Sequence, residues 1–330
     1  MKIMVYEARP DERADLEKQA ALHGVELSVT DAVPTLENAS LAAGCIGVSI
    51  LGQGCIDAAL LDAYHALGIR YLSTRTIGYD HIDLDHARSI GLRVCSASYA
   101  PNGVADFTVM MILMCLRHYK QALWRGQVND FSLTGLQGRE MKDLTIGIIG
   151  TGRIGAQVAR NLSGFGCRIL AYDLRRNPAV EPQVTYVDFD TLLAQSDVIT
   201  LHMPLLDSNR HIINRESIAK MRDGVVIVNC SRGELADIEA LIEGIETGKI
   251  GALGMDTVEG DEGIIHADHR VDILPNRNWF YLHQFRNVIM TQHMAFYTDA
   301  AVSSMVDCGI GGICQMAAGE SCPTELTGPV

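Results

Sequence analysis

In residues 143–173, DLTIGIIGTGRIGAQVARNLSGFGCRILAYD, a short apolar run passes through three glycines into an amphipathic stretch. A second apolar run comes next and ends on an aspartate. Thr145–Ile149 reads as a buried strand, and Ile154, Val158, Leu162 and Phe165 recur at helical spacing. Between them, Gly150 permits a tight turn, Gly152 lets a pyrophosphate approach the backbone, and Gly155 allows close helix packing. The first N–H groups of the helix and its positive dipole end then face the phosphates. Asp173, 18 residues beyond Gly155, closes the next strand. A carboxylate there accepts from both adenosine ribose hydroxyls and repels a 2'-phosphate, which favours NAD over NADP. Arg175 and Arg176 follow closely and could soften that preference. The stretch reads as a Rossmann dinucleotide site.

On both sides of it, short apolar runs alternate with longer amphipathic ones. Candidate strands upstream are Ile3–Tyr6, Glu26–Val29, Gly47–Leu51, Tyr71–Ser73 and Arg93–Ser96, with helices such as Ile56–Leu67 and Leu84–Ile90 between them. Downstream the candidates are Arg168–Tyr172, Val198–His202, Val225–Asn229, Ala252–Met255 and Val288–Thr291. This alternation predicts an α/β chain with two doubly wound parallel-sheet domains. Asp106–Lys120, apolar almost all round, is the expected connector, as a fully buried helix. Ligands of open parallel sheets sit outside the carboxyl ends of the strands, so the chemistry is expected in the cleft between the domains.

The 330 residues suffice for two cores, and 48% hydrophobic with 20% charged residues is the composition of a globular protein. A net charge of -13 without a basic run argues against nucleic-acid binding. The start lacks the apolar run and cleavage site of a signal peptide, and Phe107–Leu116 is about half a membrane span, so no membrane partner is expected. Nine scattered cysteines without a CxxC pair read as reduced cytoplasmic thiols and not as a metal site.

Seven motifs, STRTIGYDHID (73–83), YAPNGVAD (99–106), GTGRIG (150–155), LHMP (201–204), NCSRGELAD (229–237), GMDTVEGDEG (254–263) and TQHMAFYT (291–298), together resemble the D-2-hydroxyacid dehydrogenases. The resemblance spans most of the chain. It is closest to the D-lactate dehydrogenase branch, which includes the vancomycin-resistance enzyme. It implies a homodimer in which a Rossmann NAD-binding domain (101–298) is inserted in a flavodoxin-like catalytic domain made of residues 1–100 and 299–330.

Reducing a 2-keto acid needs a hydride, a proton for the keto oxygen and a cation for the carboxylate. A proton donor should titrate near working pH, which favours histidine. Of eleven histidines, His293 follows the last predicted strand and matches the family's acid/base residue. A neighbouring carboxylate would raise its pKa. Where the family has a glutamate, this chain has Asp261, one methylene shorter, with Glu259 or Glu262 as alternatives. Arg232 matches the substrate-binding arginine, whose guanidinium grips a carboxylate through two parallel bonds.

By the same resemblance, the backbone N–H groups of Ile77 and Gly78 also hold the carboxylate, and Tyr99 and Phe296 line the substrate pocket. Either aromatic fits an ordinary core equally well. Arg153, Ile154, Met203, Pro204, Asn209, Cys230 and Ser231 are implied to line the cofactor groove, with Asp256 near the nicotinamide. His202 reads as a satisfied strand-end histidine.

The leading expectation is an NADH-dependent reduction of pyruvate to D-lactate. The segment Ile50-Leu51-Gly52-Gln53, placed at the pocket by resemblance, carries no cation for a second carboxylate. Gly52 leaves room, which keeps 2-hydroxyisocaproate and phenyllactate open as alternatives. An NAD-sensing binding protein of the corepressor type is the alternative outside catalysis.

Overall fold

A computed structural model describes residues 1–274 and 276–328. The chain forms two compact units, Met1–Ala100 with Tyr297–Val330, and Pro101–Phe296.

The first unit runs β1 (Lys2–Val5), α1 (Arg13–His23), β2 (Glu26–Val29), β3 (Gly47–Ile50), α2 (Ala58–Ala66), β4 (Tyr71–Thr74), α3 (Leu84–Ser89) and β5 (Arg93–Cys95). Its sheet is five-stranded and parallel, in the order β2-β1-β3-β4-β5, as in flavodoxin-like folds. β3 is buried at every position because helices cover both faces, which is why it reads as an unbroken apolar run. Tyr6, Val48, Ile50, Leu61, Tyr64 and Leu72 fill one side of the sheet. The other side packs against the helix at the chain's end, Asp299–Ala317, through Ile3, Val5, Val306, Ile310 and Ile313. That helix is long and apolar enough to cross a membrane by composition, but it is used as a core helix, with Met305, Val306, Ile310 and Ile313 at most 1% exposed.

The second unit begins with α4 (Asn102–Leu116) and α5 (Tyr119–Gln127). It continues with β6 (Thr145–Ile149), α6 (Arg153–Ser163), β7 (Arg168–Tyr172), β8 (Thr185–Tyr186), α7 (Phe189–Gln195) and β9 (Val198–Leu201). Then come α8 (Arg215–Lys220), β10 (Val225–Asn229), α9 (Ile238–Glu246), β11 (Ile250–Met255), α10 (Arg277–Gln284) and β12 (Val288–Met290). The helix Asp299–Ala317 of the first unit is α11. The seven-stranded parallel sheet has the order β12-β11-β10-β9-β6-β7-β8, doubly wound about β6 and β9.

Strand positions agree with the sequence reading to within about two residues, and the edge strand β8 is new. α4 differs from expectation. It starts at Asn102, belongs to the second unit, and leaves Met110 41% exposed although Met111 and Ile112 are fully buried. One face of the helix packs on β10, β11 and α6, and Met110 lies off that face.

Candidate active site

Every candidate residue of the second unit lies on a segment leaving the carboxyl end of a strand in one parallel sheet. Gly150–Gly155 follow β6, Met203 and Pro204 follow β9, and Cys230–Arg232 follow β10. Asp256 and Asp261 follow β11, and His293 and Phe296 follow β12. Parallel pairing puts all five segments along the same edge.

Two of the three glycines of the loop are required by the chain's own packing. Gly150 has φ +93°, and a Cβ there would come within 2.5 Å of the His202 carbonyl oxygen. At Gly155 a Cβ would lie 2.0 Å from the Gly150 carbonyl oxygen, so α6 can approach the loop only with glycine. A Cβ at Gly152 would meet no protein atom within 4 Å. The chain's own packing does not call for glycine there, whereas a phosphate laid against that backbone does. These features fit a dinucleotide. Arg153 is exposed and Ile154 half-buried in the first turn of α6, whose leading N–H groups point back along the loop.

At the other end of the groove, Asp173 Oδ2 accepts from Thr151 N (2.6 Å) and Thr151 Oγ1 (3.1 Å), and Oδ1 accepts from Arg175 N (2.9 Å). A carboxylate offers about four acceptor positions, so capacity for a ribose hydroxyl remains. Tyr186, on β8, donates to Thr151 Oγ1 (2.8 Å) and accepts from Asn177 N (2.9 Å), and Arg176 lies over its ring at 5.5 Å. Tyr186 and Asn177 were missed in the sequence, because a two-residue strand gives no periodic signal.

Several candidates are anchored within their own loops. Asn209 Nδ2 donates to the Pro204 carbonyl (2.8 Å) and to Met203 Sδ (3.4 Å), folding the segment after β9 onto itself. Ser231 Oγ donates to the Leu201 carbonyl (2.6 Å), tying the end of β10 to that of β9. Asn229 holds the same turn from both sides, donating to Arg232 O (2.7 Å) and accepting from Ser231 N (3.0 Å). Arg232 is half-buried, with Nη1 on the Ser231 carbonyl at 2.9 Å. Burial, with Asp256 adding to it, pushes the Cys230 thiol well up, so it stays a neutral lining group.

Asp256 is 1% exposed. Its Oδ1 accepts from Thr291 Oγ1 (2.6 Å) and Met294 N (2.9 Å), and its Oδ2 from Ala295 N (2.8 Å). The structure therefore brings it to the segment on either side of His293, which it braces. His293 itself is half-buried with φ 52°, a left-handed conformation uncommon outside glycine. Its ring stands 6.1 Å from that of His266 and 6.4 Å, edge-on, from that of Phe296. His266, which the sequence reading passed over, also bonds the His293 carbonyl through Nε2 at 3.2 Å.

Of the three acids considered as the partner of His293, Glu259 is engaged elsewhere, with His211 Nε2 at 2.6 Å and Arg210 Nη1 at 3.6 Å. Glu262 is exposed. Asp261 accepts from Val258 N (3.1 Å), and burial, reinforced by Glu234, Glu262 and Asp256, raises its pKa to about 6. Gly233 joins this loop to that of Arg232, since a Cβ there would lie 2.2 Å from the Val258 carbonyl carbon. His202 is only half satisfied. Its Nε2 meets Thr200 Oγ1 at 2.9 Å while the buried Nδ1 has no partner, and burial holds the ring neutral with a pKa of about 3.

In the first unit, Ile77 and Gly78 form a half-buried turn after β4, and Tyr99 stands half-buried after β5. Thr76 Oγ1 donates to the Gly78 carbonyl (2.6 Å), and Thr76 O accepts from Ala97 N (2.8 Å).

Residues 109–295 match the family described as D-isomer specific 2-hydroxyacid dehydrogenase, NAD binding domain. An aromatic 2-oxoacid reductase of Clostridium sporogenes is 42% identical over 311 residues, 93% of each chain. A D-lactate dehydrogenase of Escherichia coli is 36% identical over 99% of this chain and all of that one. The solved NAD-complexed D-isomer specific 2-hydroxyacid dehydrogenase of Lactobacillus delbrueckii ssp. bulgaricus superposes with a TM-score of 0.82 at 30% identity, over 99% of this chain and 100% of that one. Since the matched segment carries the glycine loop, Arg232 and His293, the chain belongs to the D-isomer specific 2-hydroxyacid dehydrogenases, NAD-dependent oxidoreductases of 2-hydroxy acids.

Proposed function

We propose that the chain reduces a 2-keto acid to the D-2-hydroxy acid with NADH, and that pyruvate, giving D-lactate, is the leading substrate. The observation that carries this reading is the placement of a guanidinium, an imidazole and the glycine loop on segments leaving one edge of one sheet. Gly150, Gly152, Arg153, Ile154 and Gly155 take the pyrophosphate, Asp173 takes the adenosine ribose, and Met203, Pro204, Asn209, Cys230, Ser231 and Asp256 line the remainder. When bound, the nicotinamide supplies a hydride to the keto carbon.

The side chains do the rest. Arg232, charged at any working pH, grips the substrate carboxylate and turns the keto group toward His293, with the Ile77 and Gly78 N–H groups as further donors. His293 Nε2–H gives its proton to the keto oxygen as negative charge develops there, and takes it back from the hydroxyl in the reverse direction. Asp261 favours the imidazolium by its charge. Tyr99 and Phe296 bound the substrate's side-chain space.

A second reading, a bulkier aromatic or branched 2-keto acid, is favoured by the Clostridium sporogenes relative. Gly52 does not add to it: the room expected there is taken by His81 Cε1 and the Thr76 methyl, 3.0 and 3.4 Å from where a Cβ would stand. NADH oxidation by the purified chain with pyruvate, phenylpyruvate, 2-ketoisocaproate and 2-ketoglutarate separates them. Highest kcat/KM on pyruvate supports the first reading and on phenylpyruvate the second. No turnover on any of them refutes both and leaves an NAD-sensing binding protein.

The same reading makes the chain a cytoplasmic homodimer. Free thiols at all nine cysteines support a reducing compartment. Helices α4 and α5 and the loop after α5 expose Met110, Leu123, Trp124 (65%), Phe131 (79%) and Leu133 (83%), apolar side chains that a second copy would cover.

A further inference from the structure

The sheet of the first unit reverses its winding between β1 and β3, and the crevice outside the strand ends at such a point is where open parallel sheets take ligands. Glu7, two residues past β1, stands at this point, 3% exposed and with φ 55°. Left-handed backbone at a glutamate persists only where the surroundings impose it. Here Arg75 imposes it. Its Nη2 donates to the carbonyl oxygens of Tyr6 (3.0 Å) and Glu7 (3.3 Å), and its Nε is paired with Glu12 Oε1 at 2.8 Å, both side chains fully buried.

So oriented, the Glu7 carboxylate accepts four successive backbone N–H groups of the loop after β3. These are Leu51, Gly52 (2.8 Å), Gln53 (2.8 Å) and Gly54 (3.1 Å). Converging amides form an anion site, and the chain fills it with its own carboxylate. The loop in turn abuts the turn after β4. A Cβ on Gly52 would lie 3.0 Å from His81 Cε1 and 3.4 Å from the Thr76 methyl. His81 Nε2 meets Thr74 Oγ1 at 3.3 Å, Thr74 Oγ1 meets Thr76 Oγ1 at 2.6 Å, and Thr76 bonds the Gly78 carbonyl.

We propose that Glu7 is a positioning residue for the keto acid: its carboxylate fixes the 51–54 loop and, through Gly52, His81 and Thr76, the Ile77–Gly78 turn. The proposal rests on the 2-keto acid reading of the site. Glu7 acts through the backbone it holds.

The test compares full-length wild type, Glu7→Gln and Glu7→Ala with pyruvate and phenylpyruvate, alongside NADH binding by fluorescence and amide exchange of residues 51–54. A carboxamide keeps one oxygen and turns its NH2 toward the other donors. Glu7→Gln is therefore expected to raise KM for both acids about tenfold, with kcat within about threefold and NADH affinity unchanged. Glu7→Ala raises KM further and shifts the phenylpyruvate-to-pyruvate preference by about fivefold or more, with faster exchange at 52–54. Unchanged KM in variants that bind NADH normally overturns the proposal. So does a parallel fall in kcat and NADH affinity, which marks general loosening. If Glu7→Gln does not fold, Glu7→Asp, which keeps the charge and withdraws it by one methylene, is read by the same criteria. A wild type inactive on every keto acid refutes the functional reading itself and takes the role of Glu7 with it.

Discussion

Replacing Asp261 with asparagine should stabilise the protein near neutral pH while impairing it as a catalyst. The folded-state pKa of about 6 against an ordinary 3.8 means that holding the carboxylate ionised in its loop costs (6 − 3.8) × 1.36, or about 3 kcal/mol, above pH 6. The sign follows from the direction of the shift. A raised folded pKa favours the protonated form on folding, a contribution complete below 3.8 and lost as pH rises through 6. The carboxamide of Asp261→Asn never ionises, so the variant should be more stable than wild type at pH 7.5, with the gap about halved by pH 5 and closed near pH 4. If half of the cost is recovered, Tm rises by roughly 3–6 °C for a unit of this size. Thermal melts of both proteins across that pH range read this directly. A variant no more stable than wild type at pH 7.5, or a gap that widens toward acid, would refute the reasoning. If Asp261 supplies the charge that favours the His293 imidazolium, as proposed above, its loss in the same variant moves the alkaline limb of keto-acid reduction to lower pH, by about one unit. An unmoved limb means that another group sets the acidity of His293.

Arg232→Lys keeps the charge and loses the planar fork, so kcat/KM for pyruvate should fall about a hundredfold or more with NADH binding retained, as steady-state kinetics and fluorescence titration report. Asp173→Gly removes the carboxylate proposed to take the adenosine ribose, close in sequence to Arg175 and Arg176. The ratio of kcat/KM with NADH to that with NADPH should drop at least about tenfold, and an unchanged ratio would show that Asp173 does not read the ribose.

Most strands were legible because β-branched and apolar runs such as Thr145–Ile149 and Val225–Asn229 sit between clear helix signals, and burial on both faces leaves no polar alternation to confuse the reading. β8 was not, since two residues carry no period. The apolar character of α4 was visible, but which neighbours cover it was not, so its exposed Met110 was unexpected. Site chemistry shows the same boundary. The glycine loop is contiguous in sequence, and Gly150 and Gly155 each meet a distinct steric demand while Gly152 faces open space. Asp256, by contrast, read as a residue near the nicotinamide, yet its donors come from Thr291, Met294 and Ala295, joined to it by strand pairing that no local pattern specifies. The pairing of Glu259 with His211, 48 residues away, likewise left no signal in the spacing of Asp261, Glu259 and Glu262. Glu7 left no mark in the sequence, because its partners are four backbone amides 44 to 47 residues away.

The central claim is that His293 donates the proton in a 2-keto acid reduction served by NADH. Single-turnover oxidation of NADH by wild type and His293→Ala with pyruvate and phenylpyruvate, with the chirality of the product determined, tests it most directly. The account predicts a D-2-hydroxy acid from the wild type. It also predicts a variant slower by about 10²–10⁴ that still binds NADH with unchanged affinity. A variant that turns over at nearly the wild-type rate, or an L product, would contradict it.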